Sequence, residues 1–335
     1  MTTKIGINGF GRIGRDLLRG VLAQPERRIE VVGVNDIAPA ATLAHLLEYD
    51  STYGRLTVPV DVRNSTINVG GQRVEVINSP DPAGLPWRAL GADVVIEATG
   101  RFRSRDAAAA HLDAGARKVI VSAPGKNVDA TIVLGVNDSG YDPATHHVVS
   151  NASCTTNCVA PMVNVLHQAF GVRHGLMTTI HSYTNDQSLL DGPHKDLRRA
   201  RSAAVNMIPT STGAARAIGE VIPALAGKLD GVAVRVPVED GSLTDLTVQL
   251  GTRVTAHQVN EVFAEAAEGS LKGILRYTEA PLVSRDVIGD PASCVFDASL
   301  TTAEDHLVKV FGWYDNEWGY AQRTLDLVEL IARQL

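Results

Sequence analysis

Lys4-Ile5-Gly6-Ile7-Asn8-Gly9-Phe10-Gly11-Arg12-Ile13-Gly14 decides the fold of this chain. A short strand of the buried type runs into G-x-G-x-x-G, and Ile13, Leu17, Val21 and Leu22 then recur at helical spacing over Arg12 to Ala23. Glycines in such a turn let the backbone approach a pyrophosphate, which the N–H groups at the helix start stabilise. The motif alone also fits an ordinary tight turn. Ile29 to Val34 supplies a second, β-branched strand, and Asp36 follows it. It stands about 20 positions beyond the glycines, where a carboxylate accepts the hydroxyls of an unmodified ribose. Strand, turn, helix, strand and acid together predict a dinucleotide-binding βαβ unit.

The same alternation continues. Thr57 to Val62, Thr66 to Val69 and Arg73 to Ile77 read as short strands. Val94-Val95-Ile96 opens another unit, with a helix from Ser104 to Ala114 and a strand from Lys118 to Val121. Thr131 to Leu134 and His147 to Val149 read as two more strands. Strands alternating with helices predict a parallel sheet covered on both faces. Beyond Cys154 the texture changes. Strand candidates at Leu176 to His181, Val232 to Val236, Leu243 to Gln249, Ser293 to Asp297 and Leu307 to Tyr314 lie close in sequence. They predict a second, α+β domain with a mixed or antiparallel sheet. Helical patterns fall at Ala214 to Ile222, Ala256 to Glu268 and Tyr320 to Leu335, and Ser182 to Asn206 is a long polar loop. The expected fold class is therefore α/β, with a Rossmann-type domain over residues 1–150 and a catalytic domain over 151–317.

Bulk properties exclude several classes. With 335 residues, 44% hydrophobic and 20% charged, the chain has material for more than one core. A net charge of −6 argues against a dedicated nucleic-acid partner, and no apolar run reaches membrane-spanning length. Three cysteines make no disulfide framework, and the N-terminus enters a strand pattern without a signal-peptide profile, so a cytoplasmic location is expected.

Ser153-Cys154-Thr155-Thr156-Asn157 carries the chemistry. A cysteine in the first turn of a helix meets unpaired N–H groups and the positive end of the dipole, which favour the thiolate. Flanking hydroxyls argue against a purely apolar packing role. His181 ends a strand before the polar loop, where an imidazole can act as the base for a thiol. Cys158, one helical turn deeper, and Cys294 fit buried packing; no second Cys/His pair with ligand spacing occurs, so no metal is expected. Lys195, Arg198, Arg199 and Arg201 form either a solvated face or a phosphate holder. Arg235, between Val234 and Val236, needs an anion, whether a carboxylate or a ligand phosphate. Thr210-Ser211-Thr212-Gly213 precedes a helix and suits N-capping or an oxyanion cradle.

Taken together, Ile7 to Arg15, Val149 to Cys158, Ile208 to Ala215, Val234 to Pro237 and Trp313 to Tyr320 resemble phosphorylating glyceraldehyde-3-phosphate dehydrogenases. The matching stretches span nearly the whole chain in order. The resemblance implies a C-terminal helix, residues 318–335, returning to the first domain, NAD as cofactor, and a homotetramer with the 182–206 loop at an interface. It implies Cys154 as nucleophile and His181 as base. Thr184 and Arg235 would hold the phosphate of glyceraldehyde 3-phosphate. Ser153, Thr155, Thr212 and Gly213, with Arg199 nearby, would hold inorganic phosphate. Asn8, Gly9, Gly11, Arg12, Ile13, Gly14, Asp36, Thr99, Gly100 and Ser122 would contact the dinucleotide, and Asn316 would orient its nicotinamide carboxamide.

Two positions depart from the family pattern. Ser79-Pro80 stands where a Glu-Arg pair is frequent, and Gly192 replaces a larger residue beside Pro193. An erythrose-4-phosphate dehydrogenase shares most of these motifs, and a dinucleotide-fold protein with a binding role is the reading from another class. The Thr210-Ser211-Thr212-Gly213 run and the Ser182-Tyr183-Thr184 start of the loop favour the triose substrate.

Overall fold

A computed structural model describes residues 2–335. The backbone divides into two units. One comprises the chain up to Ile132, Ser139–Ala152 and Ala321–Leu335; the other comprises Val133–Asp138 and Ser153–Tyr320.

In the first unit the chain runs β1 (Thr3–Asn8), α1 (Arg12–Ala23), β2 (Ile29–Asn35), α2 (Ala40–Glu48), β3 (Val60–Arg63), β4 (Thr66–Val69) and β5 (Gln72–Ile77). It continues through β6 (Val94–Glu97), α3 (Arg105–Asp113), β7 (Lys118–Val121), β8 (Ala130–Thr131) and β9 (Val148–Ser150). These strands form one nine-stranded sheet in the order β8-β9-β7-β6-β1-β2-β5-β4-β3. Neighbours are parallel from β8 to β5, and only the β3-β4-β5 edge is antiparallel. The parallel strands are apolar on both faces: Ile5, Ile7, Val31, Val34, Val94, Val95 and Ile96 are wholly buried, as a sheet covered by helices requires. Strand order advances to one side of β1 through β2 and to the other through β6. The loop after β1 therefore opens at the switch point where open α/β sheets take ligands.

The second unit begins with α4 (Cys154–Phe170) and β10 (Val172–Ser182), then β11 (Ile208–Ser211), α5 (Ala214–Val221), β12 (Leu229–Val236) and β13 (Ser242–Leu250). It continues with α6 (Ala256–Glu268), β14 (Leu275–Thr278), β15 (Cys294–Asp297), β16 (Thr302–Glu304) and β17 (Leu307–Tyr314). The last helix, α7, spans Trp318–Ala332. The eight-stranded sheet has the order β11-β12-β10-β13-β17-β15-β14, with β16 beside β17. It is mixed: β10–β12 and β14–β15 are parallel, and the other pairs are antiparallel. Alternate residues of β13 are buried, the period of a strand with one face on a core. Helix α4 covers that face, burying Cys158, Val159, Met162, Val163 and Leu166.

Two readings of the sequence need correction. The strand expected over Thr131 to Leu134 stops at Thr131. There the Val133 N–H turns to the Asn137 side chain and the Gly135 N–H to Asp138, so side-chain acceptors replace the ladder. The strand expected from Thr57 begins only at Val60, because Pro59 has no N–H to donate. Helix α4 starts at Cys154 itself, as the sequence predicts, capped by Ser153, whose Oγ accepts the Thr156 N–H at 3.0 Å.

Candidate active site

In the first unit, Gly9 adopts φ +95°, and a Cβ at Gly14 would lie 2.2 Å from the Gly9 carbonyl oxygen. Glycine is therefore the only residue that lets this loop fold onto the helix it opens. Gly11 caps α1 without a side chain, and a Cβ there would meet nothing within 4 Å. The helix start is thus left open to an outside anion. One Asp36 oxygen accepts the Phe10 N–H at 2.9 Å and the other the Ala38 N–H at 3.1 Å. The carboxylate thereby fastens the glycine loop to the end of β2. Each oxygen keeps a lone pair for a hydroxyl. A cleft of about 250 Å³ is lined by Asn8, Gly9, Gly11, Asp36, Thr99 and Pro80, among others. These residues fit a dinucleotide: a bare helix N-terminus for the pyrophosphate and a carboxylate for the ribose. Arg12 turns aside to an ion pair with Asp50 and stacks over Tyr53. Ser122 donates to the Glu97 carbonyl at 3.1 Å, while Ile13 lies in the first turn of α1 and Gly100 turns with φ +71°.

Larger clefts lie elsewhere. One of about 980 Å³ in this unit is lined by Arg27, Asp326 and Glu329, and there Arg27 pairs with both acids. One of about 650 Å³ in the second unit runs past His174, Asp245 and Lys309. Volume alone does not find the chemistry.

In the second unit, the parallel register of β10 and β12 sets His181 beside Arg235. Cys154 is the first residue of α4, half-buried, with Sγ 3.5 Å from His181 Nε2. The Ser182 carbonyl lies 2.7 Å from His181 Nδ1. A carbonyl only accepts, so Nδ1 carries the proton and Nε2 presents its lone pair to the sulfur. Arg235 Nη1 donates to the same carbonyl at 3.0 Å. Its 2.8 Å approach to Nδ1 is a hydrogen bond only in the other tautomer, which would leave the Ser182 carbonyl without its closest donor.

The electrostatics differ from the sequence expectation. Burial, strengthened by the Arg235 charge, pushes the His181 imidazole down to about 3. Burial pushes the Cys154 thiol up to about 11, against the opposing pull of Arg235, the Thr155 side chain and the helix-start N–H groups. The helix terminus favours the thiolate as expected but does not overcome burial for a lone charge. Proton transfer from Sγ to Nε2 creates both charges together, so each ion offsets the desolvation of the other.

Among the described residues no carboxylate is within ion-pair distance of Arg235, and its buried Nε has no hydrogen-bond partner. Asp186, the nearby acid that acts on it through space, is paired with Arg199. A cation held in the sheet without a counter-ion carries a charge that an anion would offset. Arg199 also donates to the Thr210 hydroxyl at 2.9 Å. Thr212 Oγ1 accepts the Ala214 N–H at 3.2 Å, and Gly213 occupies the N-cap of α5 without a side chain. Thr184 exchanges hydrogen bonds with Gln187 through its backbone, so its hydroxyl has none of these. Thr155 is buried with its hydroxyl 2.8 Å from Tyr314 OH, which also lies 2.8 Å from Thr179. The Thr155 side chain thus acts on the Cys154 sulfur and is also anchored by Tyr314. Asn316 Oδ1 accepts from Ser182 Oγ at 2.8 Å and Ser242 Oγ at 2.7 Å, which leaves its NH₂ to donate.

Ser242 was not singled out from the sequence, and Ser182 and Tyr314 stood there only within longer matching stretches, without these contacts. Single hydroxyls in strand patterns carry no local signal, and their role follows from register alone. Cys158 and Cys294 are buried around Gly312 as packing residues. Among the described residues no cluster of His, Cys, Asp and Glu is placed to hold a metal, and no helix is long and apolar enough to cross a membrane.

Residues 3–105 match the family description "Glyceraldehyde 3-phosphate dehydrogenase, NAD binding domain", and residues 153–316 match its C-terminal domain. The chain belongs to the glyceraldehyde 3-phosphate dehydrogenase family. Glyceraldehyde-3-phosphate dehydrogenase of Streptomyces coelicolor is 57% identical over 337 aligned residues, covering both chains completely. The Mycobacterium tuberculosis protein of the same name is 56% identical over 340 residues, again with full coverage of both. Membership of this glyceraldehyde 3-phosphate dehydrogenase family makes the chain an oxidoreductase with NAD as its cofactor.

Proposed function

We propose that the protein oxidises D-glyceraldehyde 3-phosphate to 1,3-bisphosphoglycerate with NAD and inorganic phosphate, through a thiohemiacetal and a thioester on Cys154. The observation that carries this reading is the 3.5 Å approach of Cys154 Sγ to His181 Nε2, beside the unpaired Arg235 cation. Sγ bonds to the aldehyde carbon as its proton passes to Nε2 and on to the new alkoxide oxygen. Nε2 then removes that hydroxyl proton as the carbon gives up hydride. Bound NAD supplies the acceptor for that hydride. A phosphate oxygen attacks the resulting thioester, the C–S bond breaks, and the leaving thiolate recovers a proton from Nε2. The thioester matters because it conserves in the acyl phosphate the free energy that a carboxylate product would dissipate.

In this reading Arg235 and Thr184 hold the phosphate of the substrate. Ser153, Thr155, Thr212 and Gly213, with Arg199, hold the attacking phosphate. Asn316 donates to the nicotinamide carboxamide. Asn8 and the Gly9–Gly14 loop, Asp36, Thr99, Gly100 and Ser122 hold the rest of the dinucleotide. Residues 1–150 form the cofactor domain, joined by the helix in 318–335, and 151–317 form the catalytic domain of a cytoplasmic homotetramer. The test is NADH formation with and without phosphate, on glyceraldehyde 3-phosphate and on erythrose 4-phosphate. Phosphate-dependent turnover with a higher kcat/KM on the triose supports the reading. Turnover independent of phosphate, or a preference for the tetrose, refutes it.

A further inference from the structure

Beneath the cofactor cleft lies a hydrogen-bonded chain whose inner members, Glu97, His111 and Trp87, none of the roles above uses. The Glu97 carboxylate, 1% exposed, closes β6. Its Oε2 accepts from Asn8 Nδ2 at 2.5 Å and from His111 Nε2 at 3.0 Å. Its Oε1 accepts the Thr99 backbone N–H at 2.8 Å and the Thr99 hydroxyl. On the far side, Trp87 Nε1 lies 3.0 Å from His111 Nδ1. His111 and Trp87 are both fully buried. The chain also runs sideways: Asn35 Nδ2 donates to Asn8 Oδ1 at 2.7 Å, and Ser79 N donates to Asn35 Oδ1 at 3.0 Å.

The chemistry of the end groups fixes every proton along this chain. An indole N–H only donates, so His111 Nδ1 must be bare and its Nε2 must carry the hydrogen. That N–H then has the Glu97 carboxylate as its acceptor. The Asn8 amide, in turn, must aim its NH₂ at Glu97 and its oxygen at Asn35. Asn8, Asn35, Ser79 and Thr99 all line the cofactor cleft, whereas Trp87, His111 and Glu97 are absent from its wall. Buried polar groups are costly unless fully satisfied, and a satisfied network specifies one arrangement.

We infer that His111, held in one tautomer by Trp87, is a positioning residue for the dinucleotide: through Glu97 it sets Asn8 and Thr99 in the orientation that receives the cofactor. The proposal rests on the reading of this cleft as the NAD site. It goes beyond that reading in assigning binding affinity to residues that never touch the ligand.

The experiment is NAD binding by calorimetry to the full-length wild-type protein and to His111→Gln, His111→Leu and Trp87→Phe, with hydrogen exchange of the segment around Thr99 on the same samples. Glutamine can accept from Trp87 and donate to Glu97, so His111→Gln should bind NAD within about twofold of wild type. Leucine keeps bulk and loses both bonds, so His111→Leu should raise Kd about tenfold and speed exchange at Thr99. The KM for the aldehyde should stay unchanged. Trp87→Phe frees the tautomer and should give an intermediate Kd, which keeps the test decisive if His111→Leu does not fold. Equal affinity in wild type, His111→Leu and Trp87→Phe overturns the proposal. So does an equal loss in His111→Gln and His111→Leu, since shape rather than hydrogen bonding would then matter. Failure of the wild-type protein to bind NAD overturns the functional reading itself, and this inference with it.

Discussion

Replacing His181 by asparagine tests how the thiol at Cys154 is activated. Asparagine keeps a donor toward the Ser182 carbonyl but cannot take a proton from sulfur. In the variant the thiol titrates alone, and burial holds it up toward about 11. In the wild-type protein a thiolate forms together with an imidazolium 3.5 Å away. At an effective dielectric near 20, two unit charges at that separation attract by roughly 4–5 kcal/mol, about three pKa units. That attraction stabilises the proton on Nε2 as the sulfur attacks, so the wild-type imidazole acts as a general base and the variant has none. A positioned base is worth about 10²–10⁴-fold in rate. The expectation is an iodoacetamide alkylation rate at Cys154 about a hundredfold slower in His181→Asn at pH 7.5. The assay is peptide mass spectrometry of quenched time points, with circular dichroism and NAD binding as folding controls. A folded variant whose alkylation rate stays within threefold of wild type would refute the paired-proton argument.

Further expectations follow from single contacts. Cys154→Ser should retain fold and NAD binding but lose turnover, because a serine hydroxyl is scarcely ionised at neutral pH; Cys158→Ser, which alters only a packing thiol, should keep most activity. Arg235→Gln should raise the KM for the triose phosphate at least tenfold while raising the stability of the ligand-free protein by about 1–3 kcal/mol, since it removes a buried cation without a counter-ion. A lower Tm for that variant would show that the charge is compensated after all. The wild-type protein should prefer NAD over NADP, because Asp36 would face the 2′-phosphate and Ile37, 71% exposed, offers it no hydrogen bond. Asp36→Ala combined with Pro193→Ser should narrow the kcat/KM ratio. Part of the loss with NAD should come from the glycine loop, released when Phe10 N–H loses its acceptor; equal use of both cofactors by the unmodified enzyme would contradict the argument.

What the sequence revealed depended on whether the cause was local. The glycines before α1, Asp36 after β2 and the apolar periodicity of Arg12–Ala23 and Ala256–Glu268 each act within a few residues, and those helices have the expected limits. Helix α2 went unread, because Pro39 at its N-cap gives no side-chain cap and Ala40–Glu48 has little polar face to mark it. The short strands β11 and β14 were also unread. They owe their form to partners far along the chain, Ile208–Ser211 to Val232–Arg235 and Leu275–Thr278 to Cys294–Asp297. The candidate site divides in the same way. Cys154 was legible from the residues around it, and His181 from its place at a strand end. Their pairing with Arg235 is a property of strand register. The hydroxyl anchors of Asn316 and the Tyr314 anchor of Thr155 come from tertiary packing and leave no local trace. The thiol's ionisation was misjudged for a related reason: the helix terminus is visible in sequence, whereas the depth of burial that opposes it is not.

The central claim is that oxidation proceeds through an acyl group on Cys154. Intact-protein and peptide mass spectrometry after mixing enzyme, NAD and glyceraldehyde 3-phosphate without phosphate tests it directly. The account predicts a burst of NADH equal to the number of active sites. With it should come a mass increase of one phosphoglyceroyl group confined to the Cys154 peptide and discharged on adding phosphate. NADH formation with no adduct at Cys154, or an adduct that phosphate leaves in place, would contradict it.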